Sequence, residues 1–439
     1  MIKKLFRSGF FKSLLVLASG SVAGMLVIAA CEVARTWIFS EDEIGIFSFL
    51  IAVPLTFISI TSLRYDITIV VEEDERKALA LVKLSAILAA AVSALVTVGF
   101  IVFIVFFHKN YIRYLYVTPF ILAIMVGYSS NNILNSYNNR YKEYGTISKK
   151  YVVRTTIQYL GAIILGLLFV TMLKLSSFSV LIMIAPYGLG LFAGIRNQAE
   201  GLMKRWGELR SVTKEELWEV AKEHRRQAFY SSPALFVNSY SFSIITFLIE
   251  SIFGTSILAY YSISNRVLGI PISLISGNVA KVYIEEASRE YEKTGKFEKA
   301  FTKSFLFLSA MAIPMFFAMY YLAPPVCTVL LGEGWDQAGM IIRALALMFA
   351  FRLIGTAISQ SLAVCKKQGW ELLVNGSLIV ASVISGILTR ALGGDFLFFL
   401  RAICISRSLC YVGLIFLVFL LSKGVGTNGN PPAVQESRS

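Results

Sequence analysis

Five arginines, Arg266, Arg343, Arg352, Arg401 and Arg407, fall inside long apolar stretches of this chain. A guanidinium at the centre of a bilayer costs roughly 2.5–3.5 kcal/mol on insertion scales. It stays charged, with a pKa above about 12, so each needs water, carbonyl oxygens or an anion. Glu32 is the only acid comparably embedded, and Arg35 follows it by three residues, close to one helical turn, which predicts a local pair. Arg64 and Asp66 stand together at the end of another apolar stretch, where each can be neutralised nearby. What remains is cationic. The planar guanidinium fork matches phosphate oxygens, so these residues suit anion binding rather than catalysis. His108 and His224 lie far apart and form no zinc-protease pair or triad motif, and the five cysteines show neither metal-ligand nor disulfide spacing. We expect no metal, no cofactor and no enzymatic chemistry.

Helical spacing sets where the polar side chains point. Ser262, Asn265, Arg266, Gly269, Ser273 and Ser276 follow one another by one, three or four residues, which predicts one polar stripe down a helix. Arg352, Gly355, Thr356, Ser359 and Gln360 make a second stripe, and Arg154, Gln158 and Gly161 a shorter third. "SSNNILNSYNN" at 129–139 adds a run of amides. Such stripes face either a neighbouring helix or a hydrated cavity. Tying helices together is the plainer role for any single arginine. For the set, a cationic cavity is the stronger reading, because matching acids are missing. Arg343 and Arg352, nine residues apart, point to opposite sides of their helix, and Arg343 is assigned the structural role. The same phase separates Arg401 from Arg407 and leaves open which faces inward.

The elements that position these residues are membrane helices. Of 439 residues, 56% are hydrophobic and 15% charged, a composition that excludes a soluble enzyme. About 20 apolar residues cross about 30 Å of hydrocarbon, and such runs recur at about 14–37, 44–66, 81–107, 114–136, 152–172, 177–195, 229–249, 255–279, 304–324, 337–364, 371–389 and 395–421. An even count puts both termini on one side. Arg35, Lys109, Arg113, Lys174 and Arg390 are the basic residues of the opposite side; most others, including Lys3, Lys4, Arg7, Lys12 and those from Arg196 to Arg226, share the side of the termini. The positive-inside rule makes that side cytoplasmic. The net charge of +14 thus reflects topology, and no nucleic-acid partner is expected. "IAAC" ending at Cys31 imitates a lipoprotein cleavage site, but a first span is the plainer reading.

Two longer cytoplasmic segments stand out. "TKEELWEVAKEHRRQAF" opens with the capping-box pair Thr213 and Glu216, and Leu217, Trp218 and Ala221 share a face able to lie on the membrane surface. "YIEEASREYEKTGKFEKAF" prolongs the eighth span as a charged helix. The outward turns are short, the longest being around "PPVCTVLLGEGWD", too small for an external catalytic domain. The chain reads as two six-helix bundles, 1–210 and 211–421, with an amphipathic connector at 211–228 and a disordered tail at 422–439. A faint echo supports two halves: "IFSEDEIGIFSF" at 38–49 aligns with "IFGTSILAYYSI" at 252–263. Repeats of this plan place a transporter's site between the halves. Moving one charge through 100 mV is worth about 2.3 kcal/mol, so export of an anion from a negative interior is electrically downhill.

The motifs carry a resemblance. "RTWIFSEDEIG" at 35–45 and "LRYDITIV" at 63–70 resemble the first two spans of Wzx-type polysaccharide flippases, members of the multidrug/oligosaccharidyl-lipid/polysaccharide exporter superfamily. "NRVLGIPISLI" from Asn265 and "LLGEGWDQAGMIIRAL" into the tenth span resemble that family's second half. The resemblance implies an all-α, V-shaped, alternating-access transporter in the bacterial inner membrane. It implies flipping of undecaprenyl-pyrophosphate-linked oligosaccharide units toward O-antigen, capsule or exopolysaccharide, beside a polymerase and chain-length machinery. It carries over Arg266 and Arg35; Arg352, Arg401, Arg407, Arg154, Asn265 and Gln360 join on depth and spacing, with Glu32, Arg64 and Asp66 as charge partners or coupling groups. A drug or other lipid-linked exporter shares the fold. A membrane glycosyltransferase is the alternative of another class, with "EEDER" at 72–76 its densest acidic cluster.

Overall fold

A computed structural model describes residues 9–425 except 333 and 366, and the side chains of these from residue 22 onward except that of residue 368. Every described element is helical, with no strand among them. Eleven helices are long and apolar enough to cross a membrane: Glu41–Ile60, Glu75–Phe107, Lys109–Arg140, Tyr144–Met172, Ser176–Lys204, Gln227–Phe253, Thr255–Thr294, Glu298–Leu331, Asp336–Val364, Gly369–Ala391 and Phe396–Ser422. Ahead of them runs Gly9–Ile38, which contains the expected first span and passes through Cys31 without a break. We number these twelve helices as spans 1 to 12. The tail beyond residue 425 lies outside the described residues.

Span edges follow local chemistry. Ser40 caps span 2, and Glu43 returns the bond to its backbone, a complete capping box. Asp74 caps span 3 and Asp395 caps span 12. Span 2 ends at Ile60, earlier than its apolar run suggests, because Leu63 and Arg64 take positive φ of 47° and 66°. The chain then restarts as a short helix, Tyr65–Val71. Span 8 is 40 residues long, about 60 Å at 1.5 Å per residue, so its charged half runs past the hydrocarbon as expected. Within it a π-helical turn, Ile272–Ser276, follows Pro271, whose ring cannot donate to the regular ladder.

The chain forms two compact units, Met1–Ser243 and Ile244–Ser439. In the first, span 1 packs on span 5, 5 on 6, 4 on 6, and 3 on 4. In the second, span 11 packs on 12, 12 on 10, and 10 on 9 and 8; span 7 meets span 11 where Leu248 lies against Gly386. The order of partners repeats. The two stretches of the sequence echo coincide in structure as well: Ser40 joins spans 1 and 2, and Gly254, alone between spans 7 and 8, turns the chain at φ 88°. Tight approaches use glycine: a Cβ on Gly339 would stand 2.5 Å from Pro324 Cα, and one on Gly190 2.6 Å from the Gln158 side chain.

The connector belongs to the first unit. Thr213 and Glu216 form the expected capping box on Lys214–Glu223. This helix does not present Leu217 and Ala221 outward: both pack with buried Val220 on the apolar core under spans 3 and 4, and only Trp218 stays exposed. Positions i, i+3 and i+4 share one stripe, and here protein covers it. Arg76 holds Glu216 bidentately at 2.7 and 2.9 Å, and Lys77 Nζ lies 2.8 Å from Glu223. Tyr65 donates to the Ala221 carbonyl at 3.0 Å.

Candidate functional site

The first unit gathers an arginine–tyrosine cluster. Glu32 and Arg35 form the predicted pair, Arg35 NH1 standing 3.1 Å from Glu32 Oε1, with Arg35 only 1% exposed. A buried pair needs further partners to offset its desolvation. Here Phe47 of span 2 faces the Arg35 guanidinium at 4.7 Å, and Tyr159 of span 5 lies 5.7 Å away. Tyr187 of span 6 meets the rings of Phe47 and Tyr159 edge-on, and its hydroxyl lies 3.0 Å from that of Tyr128 on span 4. Arg154 stands over Tyr151 and Tyr128, at 5.0 and 5.5 Å. Five spans therefore meet around two guanidinium groups.

Next to this cluster, amides hold spans together. Gln158 donates to the Tyr187 carbonyl at 2.7 Å, Asn131 to Leu191 at 2.9 Å and Asn138 to Gln198 at 2.9 Å. Gln198 lies within the helix Ile195–Lys204, whereas the other two targets, Tyr187 and Leu191, lie where span 6 is interrupted by Gly190–Phe192 and by Gly194 at φ 70°. There the helix leaves carbonyls without intrahelical partners. Within the amide run of span 4, Asn131 and Asn138 thus take the neighbouring helix, one of the two roles their spacing allowed.

In the second unit, Arg352 and Arg407 act electrostatically on the same tyrosine, Tyr261 of span 8, and Arg407 also has Tyr411 and Arg352 as charge neighbours. Arg407, Tyr261 and Tyr411 are all buried. Arg352 lies 5.2 Å from the Phe349 ring. Gly355, on the Arg352 stripe, lets Tyr411 approach: a Cβ there would stand 3.0 Å from its ring. Arg266 and Asn265 are half-buried on the helix that carries Tyr261.

Other expected residues fall elsewhere. Arg407 is the inward member of its pair, while Arg401 is exposed, as are Gln360 and Arg343. The single stripe predicted for span 8 does not persist beyond Pro271: Ser273 is exposed, whereas Ser276 is buried. The π-helical turn adds a residue and shifts the register of everything after it. Asp66 is buried and accepts the Ser62 hydroxyl at 2.6 Å, and half-buried Arg64 lies on the left-handed turn before it. Three of the four acids of "EEDER" are committed to contacts within the first unit: Glu75 to Arg140 and Arg205, Asp74 to the cap of span 3, Glu72 to His224 Nε2 at 3.1 Å.

Sequence reasoning missed the tyrosines. Yet a signal was present for three of the clustered arginines, which carry an aromatic residue one turn away on their own helix: Tyr151 before Arg154, Phe349 before Arg352, Tyr411 after Arg407. That spacing puts ring and cation on one face.

Comparison with known proteins agrees with this architecture. A family model described as "Polysaccharide biosynthesis protein" matches residues 92–340, more than half of the chain. No curated protein matches the sequence. Among solved structures, an outward-facing multidrug resistance MATE family transporter of the MOP superfamily is similar with a TM-score of 0.64 and 15% identity, covering 96% of this chain and 97% of that one. A MOP superfamily transporter from Pyrococcus furiosus, described by the reverse polarity of its binding pocket, gives 0.62 and 16%, covering 96% and 97%. The lipid II flippase MurJ in an inward closed conformation gives 0.67 and 14%, covering 94% and 90%. At these identities the likeness is one of fold, and it bears out the all-α class.

Proposed function

Because the chain belongs to the polysaccharide biosynthesis protein family, we propose that it flips undecaprenyl-pyrophosphate-linked oligosaccharide units from the cytoplasmic to the outer leaflet of the bacterial inner membrane. In this reading both termini are cytoplasmic, and the flipped units pass to a polymerase and its chain-length machinery. One observation carries the proposal: buried Arg407 lies one turn before Tyr411, and Tyr411 packs on Gly355 one turn after Arg352, so two cations stand on packed spans with buried Tyr261 as a charge neighbour of both. Like charges gathered in a medium of low dielectric repel strongly, and a diphosphate bridging them relieves that repulsion. Guanidinium forks and tyrosine hydroxyls are donors suited to its oxygens. Arg266 and Asn265 are proposed to extend that cationic lining within the second unit; in the first unit Arg154 is proposed as a separate cationic contact, beside an Arg35 that Glu32 holds in place. With the cytoplasm negative, an anion of two charges gains about 4–5 kcal/mol per 100 mV on leaving.

A pump for cationic drugs fits the residues less well, because Glu32, the acid such a substrate would need, already holds Arg35 at 3.1 Å. The decisive experiment is deletion of the gene followed by assay of lipid-linked oligosaccharide on each leaflet. Accumulation on the inner leaflet is the outcome expected of a flippase. Loss of the lipid-linked unit itself would point to a transferase, and unchanged polysaccharide with altered drug tolerance to a pump.

A further inference from the structure

The second unit carries an apolar groove that plays no part in the reading above. It holds about 610 Å³ between spans 9, 10 and 12, with Phe305, Phe316 and Phe317 on one wall, Leu347 and Phe351 on another, and Val412 on the third. Ser309 is the one polar residue of its lining. Phe317, Leu347 and Val412 are exposed, so the groove is open along its side. In a helix bundle that crosses a membrane, an open apolar furrow faces hydrocarbon rather than water.

One end is charged. Arg343 precedes Leu347 by four residues on the same face of span 10 and continues the groove's line. Its guanidinium lies 4.4 Å from the ring of Tyr320, four residues beyond Phe316 on span 9. Arg343 is exposed and pairs with no carboxylate among the described residues. The groove's lining on span 10 runs from Leu347 to Ile354, and from Arg343 to Ile354 is eleven residues of helix or about 16 Å. Half of a hydrocarbon core about 30 Å thick is about the same length. The dimension is that of one lipid chain in one leaflet, with a cation where its phosphate would sit.

We propose that this groove binds one anionic phospholipid of the surrounding bilayer, its phosphate on Arg343 and one acyl chain along Leu347, Phe351 and Phe316. The Tyr320 ring holds the guanidinium upright at the entrance, and Phe305 marks the deep end, one turn beyond Ser309. This lipid is a companion of the fold rather than the carried substrate, since Arg343 and Arg352 point to opposite sides of span 10.

The test is native mass spectrometry of the full-length protein in detergent, titrated with phosphatidylglycerol or phosphatidylcholine. A basic residue near the lipid surface contributes about fivefold, about 1 kcal/mol. Wild type is expected to retain phosphatidylglycerol about fivefold over phosphatidylcholine, Arg343→Lys to keep that preference, and Arg343→Ala to lose it. Ser309→Trp, which fills the groove, is expected to lower retention of both lipids. Equal retention by wild type and Arg343→Ala overturns the proposal. So does displacement of bound phosphatidylglycerol by polyprenyl phosphate without the reverse, which would assign the groove to the carried lipid. Neither readout depends on transport, so the flippase reading stands or falls separately.

Discussion

At the scale of single residues, the Glu32–Arg35 pair and the Arg352–Arg407 couple do opposite things with the same chemistry. In the first, a carboxylate neutralises the guanidinium and aromatic rings seal it, so its contribution is to the fold. Removing one partner of such a buried pair costs about 3–5 kcal/mol. Arg35→Ala should therefore unfold at clearly lower temperature in detergent, and so should Glu32→Ala. Replacing both with a well-packed apolar pair should recover much of the loss. If Arg35→Ala melts with the wild type, the pair is not structural. In the second, two cations share a tyrosine, and binding is the use we propose for them. Arg352→Ala and Arg407→Ala should abolish surface polysaccharide while the protein still inserts. Lysine at either site, which keeps charge but loses the fork, should restore part of it. Normal polymer from both alanine variants would remove these residues from the site.

At the scale of elements, the connector helix Lys214–Glu223 is held on the first unit by exposed ion pairs, and that makes its docking sensitive to acid. The hydrogen bonds from Arg76 hold the Glu216 carboxyl down to about 2, and Lys77 holds that of Glu223 below its usual value. A carboxylate depressed in the folded state stabilises above its unfolded pKa of about 4.3 and loses that contribution as pH falls toward the folded value. The protection of the connector amides against hydrogen exchange, taken relative to the intrinsic rate at each pH, should be steady from neutral pH to about pH 5 and fall below about pH 4. Arg76→Ala should lower it already at neutral pH. The same element shows what could and could not be read beforehand. Thr213 and Glu216 announced the helix start, because a capping box is local. That Leu217 and Ala221 turn inward was not legible, because an apolar stripe is the same whether lipid or protein covers it. Spans were legible from length and hydropathy, whereas the break at Leu63–Arg64 and the π-helical turn after Pro271 depend on backbone geometry. That turn is why the span 8 stripe was read too far. The arginines were visible as unmatched charges; Tyr151 and Tyr411 were legible only by their one-turn spacing from an arginine, and Tyr128, Tyr159, Tyr187 and Tyr261, brought in from other helices, were not, since a lone aromatic in an apolar run looks like packing.

At the scale of the whole molecule, the order of helix partners repeats in the two units, as expected of a chain built from two related halves. Reporters fused after Ser40 and after Gly334 should register outside the cell, and one after Lys214 inside. A reversed set would invert the topology and, with it, the electrical argument for export. The connector has a mechanical consequence of its own. Arg76, Lys77 and Tyr65 clamp it as far as Glu223, so it cannot act as slack between the halves. His224, bonded to Glu72, carries the clamp one residue further, and the first unit itself runs on to Ser243 within span 7. The helix is therefore a fixed part of that unit, and a change that only stiffens it should leave surface polysaccharide unaltered.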